Sequence, residues 1–147
     1  MSTFLSHVLA LALMTASMAA WCAEFRSVGD VAAILYDAPS SRAKKLFIVN
    51  RGYPVQVVVL VEGWAKVKDA SGELAWIESR RLNEKRMVLV NVPLAQVRQS
   101  ATEDAPLVFQ ARQKVLLELI GAAGGWLQVK HDDGQAGFVK STQVWGA

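Results

Sequence analysis

One stretch of this sequence occurs twice, and the second copy follows the first at a constant distance of 62 residues. Each copy opens with Gly-Trp and closes with a serine, at residues 63–79 and 125–141. Without a gap, the same shift aligns residues 25–85 with 87–147 and gives ten identical pairs. These pairs are Val28/Val90, Ala33/Ala95, Ala43/Ala105, Phe47/Phe109, Gly63/Gly125, Trp64/Trp126, Val67/Val129, Lys68/Lys130, Gly72/Gly134 and Ser79/Ser141. A length of 147 residues would ordinarily suggest one domain, but this repeat indicates two copies of one small module.

The first 23 residues differ from everything after them, since they contain no Lys, Arg, Asp or Glu. Within them, Val8–Ala20 is an apolar, alanine-rich run that ends in small residues. This pattern resembles a secretory signal peptide, with cleavage open between Ala19 and Ala23. We therefore expect a periplasmic or secreted protein.

Two other interpretations of this segment stay open. Phe4–Ala23 could serve as an uncleaved anchor, because about 20 apolar residues reach across a bilayer. A lipid anchor at Cys22 is disfavoured, because Trp21 stands where lipoprotein signals carry Gly or Ala. Cleavage after Ala23 leaves no integral membrane segment and no cysteine, so the fold would stand without disulfides.

The repeat and the leader together predict three parts: a signal peptide at 1–23, a first module at 24–86 and a second at 87–147. Modules of about 60 residues bury only about 60% of their unfolded surface, so we expect the two to stabilise each other by packing. The first module carries eleven Lys and Arg against eight Asp and Glu, and the second carries five against five. A basic surface favours acidic partners, although a solvated loop and linker would explain the same charges.

After the leader, apolar residues recur at the period of strands and not of helices. Runs with strand patterns occur at 55–61, 64–68 and 74–77, and again one repeat later at 116–120, 126–130 and 136–139. Glycine-containing turns separate them. Each module is therefore predicted to be a three-stranded meander that follows a longer irregular segment, 37–53 or 99–113, with one helical turn near 79–81 and 141–143.

Side-chain direction follows from the period of two within a strand. In 64–68, Ala65 and Val67 must face the core of so small a barrel, which leaves Trp64 on the polar face with Lys66. Trp126 takes the same position in the second copy. Such a ring could be covered by a ligand or by a loop, and a third possibility is that the irregular segment buries it.

The pattern resembles the bacterial SH3-like domains of secreted and periplasmic proteins, in two copies that cover nearly all of the chain after the leader. Ala33-Ile-Leu-Tyr-Asp-Ala-Pro39 is similar to the opening signature of SH3 domains. The Gly-Trp pairs and the closing Gly-x-x-Gly-aromatic-aliphatic-x-Ser motif of 134–141 complete the resemblance; in the first copy Ala75 replaces the second glycine. The resemblance implies an all-β fold of two tandem small barrels, each five-stranded and partly open, with 36–54 and 98–114 as long loops.

The peptide-binding function of signalling SH3 domains does not carry over with the resemblance. Those domains hold proline-rich peptides between aromatic rings. Of the ring positions that the resemblance identifies, Tyr36 alone matches. The other positions hold Gly63 and Gly125, Glu78 and Lys140, Arg81 and Gln143, and Arg98. Bacterial relatives are more often linked to cell-wall peptides or to envelope proteins.

The sequence contains no pattern typical of an active site. His131 is the one histidine after the leader, and the Asp-Asp-Gly that follows it is typical of a turn, so no metal is expected. Nucleophile-elbow, zinc-protease and phosphate-loop motifs do not occur, and Glu103-Asp104 is interpreted as a solvated loop pair. We expect no catalytic residue, no metal and no cofactor, and hence no enzyme.

The leading hypothesis is an exported module that binds cell-wall peptidoglycan or an envelope protein through an aromatic and basic groove. Its predicted ligand-binding residues are Tyr36, Tyr53, Trp64, Lys66, Trp76 and Trp126. For Trp76 a plain core position is the alternative. A second hypothesis is a structural adaptor or dimerisation module without a small ligand, which would bury Trp64 and Trp126 at a domain or subunit contact. Nucleic acid is disfavoured as a partner by export and by the neutral second module, and the sequence leaves the oligomeric state open.

Overall fold

A computed structural model describes residues 24–147, so the predicted signal peptide and Cys22 lie outside the described residues. The described chain forms two antiparallel sheets of seven strands each. The first sheet, barrel 1, contains β1 (Glu24–Val28), β2 (Ala33–Tyr36), β3 (Lys45–Val49), β4 (Pro54–Val61), β5 (Trp64–Lys68), β6 (Leu74–Glu78) and β7 (Leu82–Asn83). The second, barrel 2, contains β8 (Met87–Val90), β9 (Leu94–Arg98), β10 (Leu107–Arg112), β11 (Leu116–Ala123), β12 (Trp126–Lys130), β13 (Ala136–Lys140) and β14 (Val144–Trp145).

The two sheets have the same topology. Their strand orders are β3-β2-β6-β5-β4-β1-β7 and β10-β9-β13-β12-β11-β8-β14, which correspond strand for strand. A 3-10 turn precedes the last strand of each sheet, at Ser79–Arg81 and Ser141–Gln143, as predicted. The all-β class and the duplication are thereby confirmed.

Each barrel has its own core, built from the inward side of the strand alternation. In β5, Ala65 and Val67 are fully buried, and in β12 Leu127 and Val129 take the same places. Fully burying one Val, Leu or Ile contributes about 1.5–3 kcal/mol, so a cluster of eight to ten buried side chains supports so small a barrel. The core of barrel 1 consists of Val28, Ala33, Leu35, Val55, Ala65, Val67, Ala75 and Ile77. That of barrel 2 consists of Val88, Val90, Ala95, Val97, Ala111, Leu117, Leu127, Val129, Val139 and Val144.

The structure corrects the predicted irregular segments. The segment 37–53 contains β3, which pairs with β2, and 99–113 contains β10, which pairs with β9. Their apolar side chains are mostly exposed or half-buried, so no clean alternation marks them in the sequence. The strands β1 and β8 were not predicted either, and each barrel therefore has seven strands where the resemblance implied five.

The barrels contact each other where the chain passes from one to the other and where it ends. The rings of Phe25 and Trp145 meet edge to face, with centroids 5.2 Å apart. Arg86 lies over the Phe25 ring and donates a hydrogen bond from Nη2 to the Gly146 carbonyl oxygen at 3.1 Å. These contacts agree with the expected packing of one module on the other. Within residues 24–147, no helix has the length and apolar character that crossing a bilayer requires.

Candidate functional site

Four of the six predicted site residues come together on the outer side of barrel 1. Lys66 on β5 lies opposite Trp76 on β6, and Trp76 lies opposite Tyr36 on β2. The Trp64 ring meets the Tyr36 ring edge to face, with centroids 5.3 Å apart and planes at 84°. Lys66 Nζ lies 5.9 Å from the centre of the Trp76 ring, within the range of a cation–π contact. We call Tyr36, Trp64, Lys66 and Trp76 the aromatic face.

Three members of the aromatic face, Trp64, Lys66 and Trp76, are half-buried and lie outside the hydrophobic core, whereas Tyr36 is buried, with 5% of its surface exposed. Along β6, Ala75 and Ile77 are buried, and Trp76 between them points to the other side and is half-buried. The core interpretation of Trp76 is therefore wrong, because the small Ala75 side chain occupies the inward position. Trp64 is also half-buried, so within this chain the long loop does not bury it.

Tyr53 lies elsewhere and does not belong to the aromatic face. It packs against the core of barrel 1 and lines a cavity of about 620 Å³ between the barrels, together with Leu35, Leu89 and Leu116. Burial raises the pKa of the Tyr53 hydroxyl above its ordinary value, and a hydrogen bond from the Ala70 backbone partly offsets this. Tyr53 is thus separated from the residues with which it was grouped.

Trp126 lies in a second cleft, on barrel 2. The cleft has a volume of about 200 Å³, and we call it the barrel-2 groove. Its lining residues are Gln96, Arg98, Glu103, Trp126, Lys140 and Gln143. By the repeat, the groove occupies the place that Tyr36 and Trp64 hold on barrel 1.

Charged groups dominate the barrel-2 groove. Lys140 Nζ lies 5.9 Å from the centre of the Trp126 ring and forms an ion pair with the Glu103 carboxylate. The hydrogen bond from Lys140, and then its charge, hold the pKa of Glu103 below its ordinary value. Arg98 donates from Nη1 to the Ala105 carbonyl oxygen at 2.8 Å.

Sequence reasoning missed this cluster of charges. Arg98 and Lys140 were noted as departures from a peptide groove, and Glu103 was interpreted as a solvated carboxylate. The signal that could have found the cluster is the repeat itself, because the 62-residue shift places Arg98 and Lys140 at the positions of Tyr36 and Glu78.

The described residues contain no group of three or more His, Cys, Asp and Glu placed to hold a metal ion. His131 Nδ1 contacts Asp133 Oδ1 at 3.1 Å within a turn. The pKa of Asp133 is lowered chiefly by the hydrogen bond from the Gln135 backbone N–H, which the turn itself provides. The aromatic face and the barrel-2 groove each place a lysine over an indole ring, an arrangement suited to binding.

Comparison with known proteins gives one family. A model of the bacterial SH3 domain matches residues 29–84 and again residues 91–146, once in each barrel. No curated protein matches the chain.

Solved structures with similar regions include three related proteins. NlpC2 from Trichomonas vaginalis is 12% identical over 84% of this chain and 48% of its own, with a TM-score of 0.39. NlpC1 from Trichomonas vaginalis is 14% identical over 92% and 50%, with a TM-score of 0.40. An NlpC/P60 family protein from Bacillus cereus ATCC 10987 is 18% identical over 82% and 55%, with a TM-score of 0.37. The chain spans about half the length of each.

Proposed function

The chain belongs to the bacterial SH3 domain family, of which it carries two copies, and we propose that it is a non-enzymatic binding module of the cell envelope. In this proposal residues 1–23 direct export, and the domains at 24–86 and 87–147 engage cell-wall peptidoglycan or an envelope protein. The ligand lies against the aromatic face of barrel 1 and against Trp126 in the barrel-2 groove.

One observation carries this proposal: two half-buried tryptophan rings and a lysine share a surface outside the core, and the buried Tyr36 ring packs edge to face against one of them, Trp64. Trp64 and Trp76 are only half-buried, although the core cluster of barrel 1 is complete without them. Indole rings offer flat apolar area together with a polar edge, which suits sugars and peptide groups. Lys66 beside Trp76 adds a cation that can pair with a ligand carboxylate.

Sedimentation with insoluble peptidoglycan tests the proposal. The intact protein is expected to pellet with the wall material, and Trp64→Ala and Trp76→Ala are expected to weaken its binding about ten-fold, the effect of losing a ring that anchors a contact. Trp126→Ala tests the second barrel in the same way. Trp145→Ala is the matched control, because Trp145 is also half-buried but packs against Phe25 at the contact between the barrels.

The variants are compared only after circular dichroism and one-dimensional NMR show that each is folded. Intact protein that stays in the supernatant contradicts wall binding. Equal losses in Trp64→Ala and Trp145→Ala contradict the assignment of the aromatic face.

A second candidate function is an adaptor that pairs with another copy of the chain. It is favoured by the end of β4, where the four apolar residues of 58–61 are exposed. Val59 lies opposite Lys66, so this apolar stretch borders the aromatic face. In barrel 2 the corresponding residues are Ile120, Gly121, Ala122 and Ala123, which offer much less apolar area.

Analytical ultracentrifugation distinguishes the two functions. An adaptor that pairs through β4 is expected to dimerise, and Leu60→Lys is expected to give monomers, since Leu60 is the most exposed residue of the stretch. Ile120→Lys is the matched control on barrel 2. A protein that stays monomeric at all concentrations contradicts the adaptor.

A further inference from the structure

The barrel-2 groove differs in charge from its counterpart, although both barrels keep the tryptophan. The residues at corresponding positions are Gln96/Ile34, Arg98/Tyr36, Glu103/Ser41, Trp126/Trp64, Lys140/Glu78 and Gln143/Arg81. At the strand position directly opposite the tryptophan, barrel 1 thus presents the carboxylate of Glu78 and barrel 2 presents the ammonium group of Lys140. The Glu78 carboxylate pairs with Arg80, whereas the Lys140 ammonium group attracts a carboxylate-bearing ligand.

The cations of the barrel-2 groove are held in place by the barrel. Lys140 on β13 lies opposite Trp126 on β12 and keeps its ammonium group over the indole ring. Arg98 on β9 is fixed by hydrogen bonds to the Ala105 carbonyl oxygen and to Gln96 Oε1. A guanidinium has five N–H donors, and these contacts use two of them. The groove therefore offers two positioned cations beside one flat ring.

A carboxylate of the protein itself already occupies this position. Glu103 lies in the loop between β9 and β10 and pairs with Lys140, which is 37 residues away in the sequence. The Glu103 side chain is 75% exposed and that of Lys140 is 40% exposed. Ion pairs this exposed contribute little to stability, so another carboxylate can replace Glu103 at little cost.

We propose that the barrel-2 groove is a binding site for a ligand carboxylate, and that Glu103 occupies the site until the ligand displaces it. This inference rests on the proposed function, because it assigns a ligand chemistry to one part of the same binding surface. The ligand carboxylate pairs with Lys140 and Arg98 while its apolar part lies on Trp126. With a volume of about 200 Å³, the groove takes a group the size of one terminal amino acid or one sugar acid.

NMR titration of the purified, ¹⁵N-labelled protein with N-acetylalanine tests this site. The amide is the matched ligand, since N-acetylalanine amide has the same shape without the charge. The acid is expected to shift the Trp126 indole N–H signal and the Lys140 backbone signal in a saturable way, and the amide is expected to leave both in place. Equal shifts with acid and amide overturn the proposal.

Substitutions test separately the binding of the ligand carboxylate by Lys140 and the displacement of Glu103. Glu103→Gln is expected to bind the acid about two- to five-fold more tightly, because the ligand no longer has to break the exposed ion pair between Glu103 and Lys140. Lys140→Gln is expected to bind it at least about ten-fold more weakly, the effect of losing a charged partner at an interface. Glu78→Gln, the change at the corresponding position of barrel 1, is expected to leave the affinity unchanged. A Glu103→Gln variant with unchanged or weaker affinity overturns the displacement step.

A second pair of ligands identifies the source of the carboxylate. Tighter binding of N-acetylalanine than of glucuronic acid assigns it to a peptide end, and the reverse order assigns it to an acidic sugar; either result supports the site. Failure of this inference is distinct from failure of the proposed function. Protein that pellets with peptidoglycan while neither acid shifts Trp126 refutes the carboxylate site alone, and acid binding without pelleting refutes wall binding alone.

Discussion

The two barrels share a fold and differ in what they present to solvent. Identical pairs such as Val28/Val90 and Val67/Val129 are buried, and Gly72/Gly134 holds a positive φ in the same turn. Outside the core, barrel 1 places Tyr36 and Glu78 beside its tryptophan, whereas barrel 2 places Arg98 and Lys140 there. The two copies thus share the residues on which folding depends, whereas the surface beside the shared tryptophan is aromatic in barrel 1 and cationic in barrel 2.

The first test of this comparison concerns Gly137 of β13, where the corresponding residue of β6 is the larger Ala75. A Cβ atom at Gly137 would lie 2.5 Å from the Arg98 carbonyl oxygen and 2.8 Å from Val97 Cγ1. Barrel 1 holds Ala75 at this position and buries it. Gly137→Ala should therefore lower the free energy of unfolding by about 2–3 kcal/mol, the cost of overpacking a core.

Urea unfolding measures this loss, with amide hydrogen exchange to assign it to barrel 2. The reverse change, Ala75→Gly, should cost about 0.5–1 kcal/mol, because it adds chain entropy and removes one methyl group without a clash. A Gly137→Ala protein as stable as the parent would mean that β9 moves aside freely, and that the barrels differ less in packing than their structures indicate.

The second test concerns a turn that both barrels make with different residues. Gly52 has φ 78° and Lys114 has φ 71°, and their N–H groups donate to the carbonyl oxygens of Val28 and Val90. A left-handed conformation costs a residue with a side chain about 1–2 kcal/mol, and glycine avoids this cost but loses more chain entropy on folding. Lys114→Gly should therefore raise the free energy of unfolding by about 0.5–1 kcal/mol.

Thermal and urea unfolding report this gain, and Gly52→Ala in barrel 1 should show the opposite sign. A Cβ atom at Gly52 would lie 3.4 Å from Met87 Cε, in ordinary contact, so the loss there would come from the backbone and not from a clash. If Lys114→Gly destabilises the protein, the Lys114 side chain must contribute more through its place beside the cavity between the barrels than its backbone costs.

The sequence predicted the parts of this fold that depend on local patterns. The ranges 64–68 and 126–130 agree with β5 and β12, because alternation and a following glycine turn are both local signals. The strand β3 escaped prediction because it lies at the edge of its sheet, where Phe47 and Ile48 stay exposed and the alternation is lost.

The candidate site was predicted only in part, for a related reason. Trp64 and Lys66 lie on one strand, so their common face follows from the period of two. Arg98, Glu103 and Lys140 lie on different segments and meet only through the pairing of β9 with β13. Contacts of this kind depend on tertiary structure, and in the sequence the 62-residue repeat points to Arg98 and Lys140 but not to Glu103.

The smallest expected effect concerns the pKa of Glu103, which has a serine as its counterpart in barrel 1. Because Lys140 holds this pKa below its ordinary value of 4.5 in the folded protein, the ion pair contributes stability above pH 4.5 and loses it as the pH falls through the lowered value. An NMR titration of the Glu103 side chain should place its midpoint below 4.5 in the parent and nearer to 4.5 in Lys140→Gln. In Arg98→Gln the pKa of Glu103 should rise by less than in Lys140→Gln, since the charge of Arg98 is the weakest of the influences on this carboxyl group. If Lys140→Gln leaves the midpoint unchanged, Glu103 and Lys140 do not form an ion pair in solution. The difference in charge between the two grooves would then come from Arg98 and Lys140, without a contribution from Glu103.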